Sequence, residues 1–153
     1  MSARLEQLYQ ETILDHNRNP RFFGEPAACT HKAHGKNPLC GDDYWVYLDV
    51  RDGVIEGVQF NGSGCAISKS SASMMSEAIK GKRLEDVIAK KDAFLTLLTQ
   101  DEPVSDSEKS LLGKLIVFEG VKKYPVRVKC AALSWRALEA ALLGDEAQAI
   151  STE

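Results

Sequence analysis

Three cysteines and an aspartate carry the chemistry that this chain could do. Cys40 lies in Asn37-Pro38-Leu39-Cys40-Gly41-Asp42, Cys65 in Gly62-Ser63-Gly64-Cys65-Ala66, and Cys130 in Arg127-Val128-Lys129-Cys130-Ala131. Three sulfurs and the Asp42 oxygen make a complete tetrahedral donor set for zinc, and the same thiols could hold iron. Asp43 is adjacent and spacing alone leaves it open as the oxygen donor. The cysteines spread over ninety residues, so only the fold can assemble the site. Cys65 and Cys130 are each expected at a helix start, where the helix dipole and free amides favour a thiolate. Cys29 has no glycine, aspartate or helix start beside it and reads as a structural cysteine.

Other charged groups could assist. Arg127 and Lys129 lie two apart on a stretch expected to be extended, so they would share a face, lower nearby thiol pKa values and pair with Asp42. His31 and His34 are three apart and would point to opposite faces of a strand; with His16 they read as surface or capping residues. There is no Cys-x-x-Cys pair, which argues against a zinc ribbon or a ferredoxin-type cluster motif.

The elements that must position these residues follow from periodicity. Leu5, Leu8, Tyr9, Thr12 and Ile13 predict a helix over 3–16, closed by Asn19-Pro20. A loop to about residue 26 and a weak strand over 27–34 follow. Tyr44–Val50 and Val54–Asn61, joined at Asp52-Gly53, predict a β-hairpin. Helices are expected over 66–80, with Gly81 as its cap, over 84–98, from the Ser105/Glu108 capping box to about 119, and over 131–143. Residues 124–129 are expected to be extended, and 144–153 a flexible tail.

With 153 residues, 44% of them hydrophobic, the chain fits a single domain over 1–143. A net charge of −3 argues against nucleic acid as a partner, and no apolar run suits a membrane span. The first residues lack a signal-peptide pattern, so a cytoplasmic location is expected, where cysteines are thiols or metal ligands before disulfides.

The three cysteine segments, together with Tyr9 and Ile13-Leu14-Asp15-His16-Asn17-Arg18-Asn19-Pro20, resemble the IscU/NifU N-terminal scaffold superfamily over about residues 5–143. The resemblance implies an α+β fold: a small, mostly antiparallel three-stranded sheet packed with about five helices. Within the superfamily, Lys129 stands where the cluster-scaffold branch has a histidine. The 64 residues between Cys65 and Cys130, with Arg127 and Trp135, resemble the SufU branch instead. That branch implies a zinc-dependent sulfurtransferase with zinc on Cys40, Asp42, Cys65 and Cys130. It would accept persulfide sulfur from a SufS-type cysteine desulfurase and serve downstream iron–sulfur scaffold proteins. Cys40 would be the acceptor, with Arg127 assisting. The alternatives are an assembly scaffold holding a transient [2Fe–2S] cluster or iron on the same cysteines, and a zinc-stabilised adaptor that carries no sulfur.

Overall fold

The computed structural model describes residues 3–144 and 150–151. Helix α1 (Ala3–Arg18) presents Leu5, Tyr9, Ile13 and His16 inward and ends one residue before Asn19-Pro20, where helical backbone is disfavoured. Leu8, expected on that stripe, is exposed instead. The chain then forms β1 (His31–Asn37), β2 (Asp42–Arg51) and β3 (Val54–Ser63), a consecutive antiparallel meander. Alternation along β2 sends Tyr44, Val46 and Leu48 to the core, while Asp43, Trp45 and Asp49 face the other way. Strand β1 lies later than the 27–34 expected. His31-Lys32-Ala33-His34-Gly35-Lys36-Asn37 has little strand propensity, and pairing to β2 in register supplies what the local sequence lacks.

Helix α2 (Ala66–Ile79) crosses back over the sheet, followed by α3 (Leu84–Thr99) and α4 (Asp106–Leu112). The Ser105/Glu108 capping box starts α4 as expected. The helix does not run to 119, however: Gly113 takes a φ of +52° and the chain tightens into a 3-10 segment over Gly113–Val121. Helix α5 (Pro125–Leu142) is the largest correction. The expected extended stretch over 124–129 is already helical, with Pro125 in the first turn. Proline's fixed φ suits that position, where a backbone N–H has no helical partner to lose. A two-residue strand β4 (Ile150–Ser151) adds in parallel to the outer edge of β1, giving the order β3-β2-β1-β4. The rest of the tail expected over 144–153, apart from Gly144, lies outside the described residues. The α+β arrangement of three antiparallel strands and five α-helices is the one expected.

The core forms where α2 and α5 meet the sheet, with α3 packed on α5 and the 3-10 segment. Phe94 stacks on Trp135 at 4.6 Å and meets Phe118 edge-on, and Trp135 Nε1 donates to Ser71 Oγ at 3.2 Å. That bond holds α5 against α2, and so fixes the helices that carry Cys130 and Cys65 relative to each other.

Candidate metal centre

Three elements deliver the sulfurs to one place. Cys40 sits on the tight turn between β1 and β2, where Gly41 adopts a φ of +72° and lets the chain reverse into Asp42. Asp42 opens β2 with 2% exposure, its side chain directed to the core side. Cys65 is the N-cap of α2, its sulfur accepting the Ser68 N–H at 3.4 Å. Cys130 is buried on the second turn of α5, not at a helix start as expected, because α5 begins five residues earlier.

The donor atoms of Cys40, Asp42 and Cys130 lie within 4.8 Å of one another, and Cys65 stands at the edge of this group, against Asp42. Cys130 Sγ is 3.3 Å from Cys40 Sγ, and Cys65 Sγ is 3.9 Å from Asp42 Oδ2. Zinc with metal–sulfur bonds of about 2.3 Å needs tetrahedral donors roughly 3.8 Å apart, so these separations bracket the requirement. The donor chemistry fits zinc as well. Asp42 also holds the site together: its Oδ1 accepts the Cys65 N–H at 2.8 Å, tying β2 to the start of α2. Gly64 makes that contact possible, since a Cβ there would come within 2.5 Å of Asp42 Oδ1 and 2.9 Å of the Tyr44 ring.

The electrostatics favour one ionised sulfur and oppose a second beside it. A hydrogen bond from the Cys130 thiol, outweighing burial, lowers the Cys65 thiol to about 6, and the same bond raises Cys130. Burial pushes the Tyr44 hydroxyl up to about 12, so a neutral phenol borders the site.

The other candidates separate cleanly. Asp43, left open by spacing, faces away and its carboxylate bonds to His34 Nε2. His34 in turn stacks on Trp45 at 4.6 Å. His16, expected at the surface, is 5% exposed and bonds Ser73 Oγ through Nδ1. Cys29 lies in the loop before β1, outside the group of converging donors. Arg127 and Lys129 do not share a face, because on a helix two residues apart turn about 200°. Arg127 forms no ion pair with Asp42; its guanidinium lies 4.6 Å over the Tyr124 ring, in a cleft shared with Tyr9. Lys129 lines a groove of about 460 Å³ with Leu95, Thr99 and Arg136.

The NifU-like N-terminal domain family matches residues 8–142, a span that includes every one of these donors. The chain belongs to that family. Among NifU-like relatives, it is 38% identical over 145 residues to the zinc-dependent sulfurtransferase SufU of Bacillus subtilis (strain 168), covering 95% of this chain and 96% of the relative. It is 39% identical over 140 residues to the iron–sulfur cluster assembly scaffold protein IscU of Thermotoga maritima, covering 90% and 94%. A crystal structure of an iron–sulfur cluster assembly scaffold protein for the SUF system from Fervidobacterium islandicum AW-1 superposes with a TM-score of 0.81 at 34% identity, over 90% of this chain and 98% of the other.

In this NifU-like domain, sequence reasoning passed over Asn37 and Ser68, which lie against the sulfurs. Ser68 was within reach, three residues past the N-cap cysteine in sequence. Asn37 had no local signal, since its partner Cys130 is 93 residues away.

Proposed function

We propose that the chain is a zinc-holding sulfurtransferase of iron–sulfur cluster assembly, accepting persulfide sulfur from a SufS-type cysteine desulfurase. One observation carries the reading: the Cys40 and Cys130 thiols and the Asp42 carboxylate converge within donor distance, and the Cys65 thiol stands 3.9 Å from Asp42 Oδ2 as the nearest fourth donor. Zinc held by Cys40, Asp42, Cys65 and Cys130 would keep the thiols deprotonated at neutral pH.

Cys40 is the acceptor in this reading. Cys130 is buried in a helix and Cys65 is an N-cap tied to Asp42, whereas Cys40 is half-buried on a turn beside the exposed Leu39. It can therefore move without breaking a helix. Its thiolate attacks the outer sulfur of the desulfurase persulfide. A new S–S bond forms on Cys40 as the donor's S–S bond breaks, and the donor cysteine leaves as a thiolate. The exchange needs no oxidant. Arg127 lies one helical turn before Cys130 on the same side of α5, and its exposed charge would draw the anionic persulfide toward the turn. The one-sulfur adduct then passes to a downstream iron–sulfur scaffold protein. The reading places this work in the cytoplasm, on a single domain over 1–143; among the described residues no helix is long and apolar enough to cross a membrane.

The test is desulfurase turnover with the zinc-loaded protein, iron excluded and a reductant present, with mass spectrometry of Cys40. Multiple-turnover stimulation and a one-sulfur adduct on Cys40 are expected. Cys40→Ala should abolish both while circular dichroism stays that of the parent; normal stimulation by this variant would overturn the assignment. The Thermotoga relative favours a second reading, in which a [2Fe–2S] cluster is cargo built on the same cysteines. Lys129 speaks against it, because an ammonium has no lone pair to offer where that branch has a histidine. A reconstituted cluster that transfers to an apo-acceptor, with no desulfurase stimulation, would favour the second reading.

A further inference from the structure

The three sulfurs are not equivalent in their hydrogen bonding. Cys65 Sγ accepts the backbone N–H of Ser68 at 3.4 Å, and Cys130 Sγ accepts Asn37 Nδ2–H at 3.7 Å. Among the described residues, Cys40 Sγ accepts no N–H and meets only the Cys130 thiol. Asn37 is the source of this asymmetry. It is fully buried at the end of β1, its carbonyl accepts the Cys40 N–H at 3.1 Å, and it pairs in register with Asp42. One residue thus touches Cys130 through its side chain and the Cys40–Asp42 turn through its backbone.

The cost of this arrangement identifies its purpose. Among the described residues, Asn37 Oδ1 is buried without a partner. An apolar side chain of the same outline would avoid that penalty, so the fold retains the amide for its donor. The opposite amide orientation would aim Oδ1 at the sulfur and repel a thiolate, which favours the N–H orientation.

We propose that Asn37 is a positioning residue whose amide N–H anchors and tempers the Cys130 sulfur, leaving Cys40 as the electron-rich thiolate that departs to accept sulfur. An N–H donor withdraws charge from a thiolate and lowers its nucleophilicity, while holding it in place as a ligand. Two sulfurs so restrained and one unrestrained define which cysteine reacts. The inference rests on the zinc-thiolate reading above.

Cobalt(II) in place of zinc makes the sulfurs visible through their charge-transfer absorption. Asn37→Leu removes the donor and the orphaned acceptor and keeps a branched outline, in a larger side chain. The charge-transfer band is expected to move to longer wavelength, zinc to be bound about tenfold more weakly, and part of the sulfur adduct to appear on Cys130. If Asn37→Leu does not fold, Asn37→Asp keeps the outline without the N–H and should give the same band shift. A band and adduct distribution identical to the parent's would overturn the proposal. A parent protein with no cobalt–thiolate band would overturn the zinc reading, and the proposal with it.

Discussion

Gly64 shows how little room the ligand set leaves. A Cβ at this position would lie 2.5 Å from Asp42 Oδ1, 2.7 Å from Ser68 Oγ and 2.9 Å from the Tyr44 ring. None of the three can yield cheaply: Asp42 Oδ1 is occupied by the Cys65 N–H, Ser68 Oγ by the Cys65 carbonyl, and Tyr44 is fully buried. Gly64→Ala should therefore push Asp42 off the Cys65 amide and weaken zinc by tenfold or more, at a cost in stability of about 1–3 kcal/mol. Chelator competition and urea denaturation would check the two parts separately, and wild-type zinc affinity would count against Asp42 as the oxygen ligand. At this scale the sequence was a good guide to the ligands and a poor one to their supports. Cysteines beside glycine and aspartate announce themselves through residue type. Asn37 does not, because its work depends on a helix that arrives from the far end of the chain.

Among the elements, α1 holds a group that the sequence misassigned. His16 is packed between α1 and α2, and Ser73 Oγ already accepts the Arg21 N–H at 2.8 Å. Ser73 Oγ keeps a proton to donate and a second lone pair to accept with, so it can pair with His16 Nδ1 in either neutral tautomer. Burial is the main reason the His16 pKa falls below the usual 6.5; the Arg21 and Lys114 charges add to it, and Glu77 and Asp15 oppose. As pH falls through 6.5 the unfolded chain takes up a proton that the folded one refuses, so stability is present above that pH and lost below it. The denaturation midpoint of the metal-free protein should drop between pH 7.5 and 5.5. His16→Asn, which keeps an acceptor near Nδ1, should show less of that drop; an equal drop in both proteins would remove His16 as its source. This burial is not legible locally, since a histidine near a helix C-terminus also suits the surface. The start of α5 was misread for a related reason. Pro125, Val126 and Val128 favour extended structure locally, but Pro is also at home in a helix's first turn, and packing of Leu133, Trp135 and Leu138 into the core settles the matter. The β2–β3 hairpin was legible because alternation and the Asp52-Gly53 turn agree with the tertiary fold.

At the scale of the molecule, the centre is a clamp between the β1–β2 turn, α2 and α5. The folded chain brings Cys40, Asp42 and Cys130 together with Cys65 beside them, and the unfolded chain disperses them, so metal binds the folded state far better. Zinc should then raise the melting temperature by mass action. Free metal at 100 times its dissociation constant contributes about 2.7 kcal/mol, which for a chain of this length is roughly 5–10 °C. The rise should grow with the logarithm of free zinc and reverse on chelation. Cys29→Ala should leave it intact, because Cys29 lies outside the converging donors. Cys130→Ala should remove most of it, since the sulfur that joins α5 to the turn is gone. Scanning calorimetry over a zinc series would decide the point. A melting temperature indifferent to zinc would mean that the fold brings these thiols together for something other than a metal. A zinc response lost equally in the Cys29 and Cys130 variants would place the metal elsewhere on the chain.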